Sequence, residues 1–497
     1  MTLGDMLTES AGRTPRKTCI KFRKRKVSYS ELDELVSLCA GGLTALGLRA
    51  GERAAILMEN SPEYIVSYFA IVRAGGVVVP VNTFLTPHEI SYILNDSGSR
   101  ILIYSPGFAQ HIKDIGSSVK DIKAVVFNDI PRQRSAVFKG SADETAVFLY
   151  TSGTTGFPKA AMLTHDNLIS NVKACREVMH VFRKDKVLLF LPLFHAFSFT
   201  VCVILPIYSS ATIVLLASVK PFSNVIKSIF RDRITFFVAV PAVYNILSRK
   251  RIPFFIKYLL KFLVNIKVCV SGASPLPAET IHAFEERFKL PLIEGYGLTE
   301  ASPVVSVNPL KGMRKPSSVG LPLPGVEIAV IGEGRERVPA GETGELIIRG
   351  PNIMKGYFNR QEETAEVLKD GWLHTGDMAR IDEDGYIYIV DRKKDLIIVD
   401  GMNVYPREVE DLINRHPSIE ECAMVGIPNG RGSELTVLFL KKKEDSSVDE
   451  DEIRRYMKGN LAMYKIPRRT VFIDEFPKTA TGKIRKVELK KWEIRSV

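Results

Sequence analysis

At 497 residues the chain is too long for one ordinary domain, and a soft prior of roughly 150 residues each implies two to four domains or subdomains. With 45% hydrophobic and 25% charged residues, and no low-complexity tract or short repeat, it is neither a disordered nor a solenoid sequence. The net charge of +12 favours anionic partners, with nucleotides, nucleic acid and acidic membrane all open at this level.

The N-terminus, MTLGDMLTESAGRTP, has no apolar core of the kind a signal peptide needs, so a cytoplasmic protein is expected. Arg13 to Lys26 holds eight Lys/Arg and no acid. Tyr29 to Leu46 carries apolar residues at helical spacing, and Ser28 with Glu31 three residues on has the capping-box pattern. Ala54 to Met58 reads as a buried strand, Ser61 to Ala74 as a helix and Val77 to Val81 as a strand. This βαβ rhythm implies a doubly wound α/β sheet, and it recurs with strands expected at Val187 to Leu191, Ala211 to Leu215, Thr235 to Val240 and Lys267 to Val270. The longest apolar stretch, Val201 to Ala217, is broken by Pro206 and several polar residues; it is too short to span a membrane and reads as core strands with a turn.

Arg249 to Lys267 sets Ile252, Phe255, Ile256, Leu259, Leu263 and Ile266 on one helical face, with six basic residues and no acid. That pattern suits a core-packing helix with a solvated edge, the reading put first, or an interfacial helix giving the protein a peripheral membrane contact through 249–267. After about Gly320 the segments become short, alternating and rich in Gly/Pro turns, which predicts β structure. The dense charge run DRKKD near Asp391 then separates this region from a last hundred residues of mixed pattern. The six cysteines are scattered without zinc spacing and read as buried thiols. The basic stretches lack any zinc-finger or RRM signature, so nucleic acid is not expected as a partner.

The first motif with chemistry is Tyr150 to Lys159, YTSGTTGFPK, which follows a strand-like run and precedes the helix-like HDNLISNVKACREV. Small residues let backbone N–H groups approach phosphate oxygens, Ser152, Thr154 and Thr155 add hydroxyls, and Lys159 adds a cation. The spacing is not that of a Walker A loop. Further along come GASP (Gly272 to Pro275), EGYGLTE (Glu294 to Glu300), HTGD (His374 to Asp377), YIVDR (Tyr388 to Arg392) and PKTATGKIRK (Pro477 to Lys486). His195 lies in the apolar LPLFHAFSF.

Together, in this order, the motifs resemble those of the adenylate-forming superfamily of acyl-CoA synthetases, luciferases and peptide-synthetase adenylation domains, most like a medium- or long-chain fatty acyl-CoA synthetase. The resemblance implies a large N-terminal domain, residues 1–391, of two doubly wound α/β subdomains and a β-rich, distorted-barrel part from about 320. A hinge at 392–395 about Lys394 and a small mobile α+β domain, 396–497, would follow. It implies ATP-dependent activation of a carboxylic acid, most simply a fatty acid, to acyl-AMP with release of pyrophosphate, then transfer to coenzyme A.

By the same resemblance Thr151, Ser152, Gly153, Thr154, Thr155, Gly156 and Lys159 form the phosphate loop. Gly272, Ala273 and Ser274 lie on the adenine side, with Glu294, Gly295, Tyr296 and Gly297; Tyr296 stacks on the purine. Thr299 meets the α-phosphate, and Glu300 helps hold Mg²⁺. Asp377, Ile389 and Arg392 serve the ribose, and the pantetheine arm passes Gly401. His195 gates or positions the reacting carboxylate, and Lys483 is the catalytic lysine. Gly295 and Gly297 are also expected to leave open a path for an acyl chain. The compact Val326 to Gly350 lacks the insertion of acyl-AMP ligases, which favours coenzyme A over a carrier protein, and the retained Lys483 and Glu300 argue against a non-catalytic nucleotide-binding relative. The short VGIPNGRGSELTVLFL departs from the family pattern on the coenzyme A side.

Overall fold

The computed structural model describes residues 1–134, 138–152, 158–249, 264–399, 402–428, 434–444, 446–458, 460–478 and 484–494. Residues Gly153, Thr154, Thr155, Gly156, Gly401 and Lys483, and most of the basic segment 249–267, lie outside them. The chain divides into two compact units, one of residues 1–327 and 348–373, the other of 328–347 and 374–497. The β-rich stretch after Gly320 is thus shared, because its antiparallel pairings join segments distant in sequence.

Two large sheets organise the first unit. One has nine strands, with Arg25–Ser28 at one edge and Leu321–Pro322 at the other; the interior strands Thr18–Phe22, Thr212–Leu215, Lys186–Leu189, Phe236–Ala239, Val268–Ser271 and Leu292–Gly297 run parallel, and Val304–Val307 lies antiparallel between the last of these and the edge. The other has seven strands, parallel from Lys123–Val126 through Thr145–Ser152 and closed by the antiparallel strands Pro158–Thr164 and Gly356–Tyr357. The parallel strands are short apolar runs because both faces are covered; Val268–Ser271, for one, is buried throughout.

Local signals decide the helix starts. Ser28 Oγ accepts from the Glu31 N–H at 3.2 Å and Glu31 returns the bond to the Ser28 N–H at 2.6 Å, so the helix Tyr29–Ala45 begins where its capping box lies. One expectation fails. Val201 to Tyr208 is helical, with a π turn at Thr200–Ile204, and only Thr212–Leu215 is a strand. Pro206 explains the wide turn: its ring would clash with the carbonyl four residues back, and the Leu205 N–H reaches instead to the Thr200 carbonyl. Burial of Val201, Val203 and Ile204 outweighs their preference for strands.

His165 begins the helix His165–Met179 and is buried, its Nδ1 accepting the Leu3 N–H at 3.2 Å. Burial lowers its pKa to about 4. The unfolded chain therefore takes up this proton near pH 6.5 and the native chain only near 4. Stability is untouched above pH 6.5 and falls as the pH drops through that window, by roughly 3 kcal/mol in all. Urea midpoints measured from pH 8 to 4 should show this loss, and His165→Gln should remove most of it; an equal loss in the variant would assign the effect to other groups.

In the second unit, Ile419–Pro428 and Glu434–Lys442 pair antiparallel and Arg469–Phe472 joins in parallel. Their alternation makes two cores. Met424, Leu438 and Leu440 face one way with Val409 and Ile453, while Val425, Val437 and Phe439 face the other with Phe476 and Leu489. All six cysteines are buried and unpaired, as expected.

Candidate active site

The first unit brings most motif residues to the carboxyl ends of its parallel strands, where an open α/β sheet binds its ligands. Gly272 follows Val268–Ser271, Glu294 to Gly297 end their own strand, and His195 lies beyond Lys186–Leu189. Thr299 and Glu300 begin a short 3₁₀ turn that holds Ser302 at φ 68°. Ala273 also has positive φ, at 72°, a conformation costly for a residue with a side chain and often kept where ligands bind.

The phosphate loop differs from expectation in its setting. The strand Pro158–Thr164 intervenes before the helix, and the loop's stem is an antiparallel hairpin with Thr151 opposite Lys159 and Ser152 opposite Pro158. Lys159 is nearly buried, its ammonium 2.5 Å from a Glu363 carboxylate oxygen and 5.4 Å from the centre of the Tyr357 ring. Next to it, Arg360 pairs with Asp96 at 2.8 Å, and the Tyr150 hydroxyl donates to the other Asp96 oxygen at 2.8 Å. The helix Gln361–Val367 and the turn before it therefore brace both strands of the stem, a role with no signal in the motif itself.

Three glycine expectations are corrected by the atoms around them. A Cβ on Gly297 would lie 2.0 Å from the Pro303 carbonyl oxygen, and one on Gly295 would lie 3.1 Å from that of Ser306. Gly297 is required by the close return of Val304–Val307 alongside, and Gly295 is tightly neighboured by the same strand, so the space at both is filled by backbone. A Cβ on Gly272 would meet the Phe197 ring at 2.8 Å, so an aromatic side chain covers the face expected to be bare for a purine. Glu294 is buried and turned to the neighbouring loop, where its carboxylate accepts the Leu276 N–H at 2.9 Å. It braces the loop that carries Gly272 to Pro275.

Glu300 is placed with more freedom. The Tyr357 hydroxyl donates to its Oε1 at 2.8 Å and the Thr151 hydroxyl stands 3.5 Å from the same atom. Oε2 takes no hydrogen bond among the described residues. One carboxylate oxygen beside a hydroxyl suits Mg²⁺, which keeps most of its waters and is shared with phosphates. No cluster of three or more His, Cys, Asp or Glu among the described residues forms a closed metal cage.

His195 caps a short helix, its Nδ1 accepting the Phe197 N–H at 3.3 Å. Burial lowers its pKa, so the imidazole is neutral at pH 7 with its proton on Nε2, as a donor. Beside it a narrow cleft is lined by Tyr68, Leu149, Leu193, Phe194, Phe199 and Ile204, without a charged side chain. Tyr68 and Phe199 stack there at 4.0 Å.

The second unit holds the other motif residues. Asp377 and Arg392 are opposite each other on antiparallel strands, with Nε 2.6 Å from Oδ1. Asp377 is 1% exposed, while the Arg392 side chain is 42% exposed. The Ile389 carbonyl accepts from Arg407 at 2.8 Å. Lys394 is exposed in the 3₁₀ turn Lys393–Asp395. Both flanks of the Lys483 segment are secured: Lys478 bridges Ile484, the Arg485 N–H reaches the Pro477 carbonyl at 2.8 Å, and Lys486 pairs with Glu410 at 2.7 Å. Burial works against the Lys486 charge, but Glu410 and Asp391 hold its pKa above the usual lysine value.

The model of the AMP-binding enzyme family matches residues 7–358, and that of the AMP-binding enzyme C-terminal domain matches 408–483. The chain is 35% identical to a long-chain-fatty-acid–CoA ligase of Bacillus subtilis (strain 168), covering 97% of this chain and 93% of that one. It is 34% identical to a feruloyl-CoA synthase of an Amycolatopsis species, covering 98% of both. The solved structure of ATP-bound MatB from Rhodopseudomonas palustris superposes with a TM-score of 0.92 at 31% identity, covering 99% of each chain.

Proposed function

This chain belongs to the AMP-binding enzyme family, as an AMP-forming acid–CoA ligase that uses ATP, Mg²⁺ and coenzyme A, and we propose that the acid it activates is a fatty acid. The observation that carries this reading is the uncharged, largely apolar lining beside His195, which encloses only about 10 Å³ in this structure and must open to admit an acyl chain, but offers nothing to pair with a second carboxylate. The long-chain ligase among its relatives supports the same choice.

The carboxylate must meet the α-phosphorus of ATP, so two anions are brought together and negative charge grows on the phosphoryl oxygens. Catalysis is then mostly positioning and charge stabilisation. Neutral His195 donates through Nε2 to the acid's oxygen and has no proton to remove, because the acid is already ionised. When bound, Mg²⁺ neutralises phosphate charge, with Glu300 and the Thr151 hydroxyl as its protein partners. Thr299 donates to the α-phosphate and Tyr296 lies against the purine. Lys159 joins the triphosphate by exchanging Glu363 for phosphate oxygens, and the loop 151–156 supplies backbone donors. Asp377 accepts from the ribose hydroxyls and Arg392 donates to them, with Ile389 alongside. Lys483 stabilises the charge of the first step, and Gly401 serves the pantetheine in the second, with Lys394 the pivot between steps.

The test is acid-dependent ATP–pyrophosphate exchange over C4–C18 fatty acids and aromatic acids, followed by coenzyme A. Fatty acids are expected to give the highest exchange and to yield acyl-CoA. Higher exchange with hydroxycinnamic acids would sink the fatty-acid reading, and it has a rationale in the Tyr68–Phe199 stack, a surface for a flat ring. Exchange without acyl-CoA would move the acceptor to a carrier protein. Vesicles with anionic lipid, assayed alongside, test a membrane contact through 249–267.

A further inference from the structure

The motifs account for Glu300 but not for what holds it. The segment Pro351 to Phe358 lies along this part of the first unit through polar contacts on both sides. Asn167 donates to the Pro351 carbonyl at 2.7 Å, and Asn352 donates to the Ala301 carbonyl at 2.8 Å. The Lys355 and Phe358 N–H groups bond the Met162 and Ala160 carbonyls, and the Met354 N–H bonds the carbonyl of Glu300 itself at 2.9 Å. Tyr357, opposite Ala161 in the sheet, then reaches the Glu300 carboxylate at 2.8 Å. Both ends of Glu300, main chain and side chain, are thus fixed from one segment.

A carboxylate on a rotatable side chain can present either oxygen, and a metal site needs one orientation. The hydrogen bond from Tyr357 to Oε1 breaks that symmetry and leaves Oε2 without a hydrogen bond among the described residues. We propose that Tyr357 is a positioning residue for the adenylation step: its hydroxyl holds the Glu300 carboxylate in the orientation that receives a divalent cation carried on the nucleotide triphosphate. The inference rests on the reading of Glu300 as the metal's carboxylate. The phenol itself touches neither metal nor nucleotide. Its ring, packed against the Lys159 ammonium, also links the carboxylate to the base of the phosphate loop.

Tyr357→Phe removes the hydroxyl and keeps the ring, its strand pairing and its contact with Lys159. The probe is Mn²⁺, followed by its electron paramagnetic resonance, binding to the full-length enzyme with a non-hydrolysable ATP analogue. Loss of one hydrogen bond to a charged group is expected to weaken Mn²⁺ about tenfold and to raise the Mg²⁺ needed for half-maximal pyrophosphate exchange similarly. Metal-free analogue binding and KM for the acid should be unchanged. In a Glu300→Gln background the tyrosine change should add almost nothing. Unchanged Mn²⁺ affinity in Tyr357→Phe, with a clear loss in Glu300→Gln, would overturn the role of Tyr357 and leave that of Glu300 standing. Unchanged affinity in Glu300→Gln would overturn both. Equal weakening of metal-free and metal-bound nucleotide would show that Tyr357 only supports the local fold.

Discussion

Lys483→Ala is expected to lower ATP–pyrophosphate exchange by about 10²–10³, the usual consequence of removing one donor from a site of developing charge, roughly 3–4 kcal/mol. The same variant should convert supplied acyl-AMP and coenzyme A to thioester at close to the normal rate. The expectation rests on the division of labour between steps. In the first, negative charge grows on the α-phosphate and a cation lowers the barrier. In the second, the thiol attacks a carbonyl and the phosphate only departs. The flanks of the lysine make the comparison a clean one, because the Lys478–Ile484 bridge and the Lys486–Glu410 pair hold the chain on either side without it. A variant that loses both half-reactions equally would remove Lys483 from the catalytic role.

Asp377→Ala is expected to lower kcat/KM for ATP by about a hundredfold, mostly through KM. Two hydrogen bonds from hydroxyls to a charged acceptor account for that magnitude, at roughly 1.5–3 kcal/mol each before losses to water. Ribose contacts are made equally in the ground and transition states, so the effect should fall on binding more than on turnover. Arg392→Ala should differ in kind. Asp377 is almost wholly buried and its arginine partner is not, so deleting Asp377 leaves a cation that water can solvate, while deleting Arg392 removes the ion pair of a buried carboxylate. Arg392→Ala should therefore destabilise the second unit in thermal melts more than Asp377→Ala does, and the reverse order would count against this electrostatic account.

How much of this could be read from residues alone varied with the range of the interaction. The capping box at Ser28 is local, and the helix starts there. That Asp377 and Arg392 belong together was legible because each stands in a recognisable string, and antiparallel pairing brings them opposite. The glycines of EGYGLTE show the limit. A sequence reveals that the side chain is missing but not what fills the space, and here the backbone of Pro303 to Val307 does so. The stretch after Val201 misleads in another way, since Val and Ile favour strands until burial and a proline-relieved turn make a helix the better packing. Tyr357 carried no signal at all, because its partner lies 57 residues away and a Gly-Tyr pair is ordinary.

The return of Pro351 to Phe358 also sets an order of assembly. Asn167 and Pro351 are 184 residues apart, and the strand Gly356–Tyr357 completes a sheet whose other members are all made far earlier in synthesis. Contacts of such separation are slow to form and leave an unpaired strand edge until they do. A chain still emerging from the ribosome can build its parallel strands early, yet it cannot orient Glu300 until residue 357 is available. Truncations ending just short of this segment should therefore expose the edge of Pro158–Thr164 and aggregate, while those ending just beyond it should remain soluble.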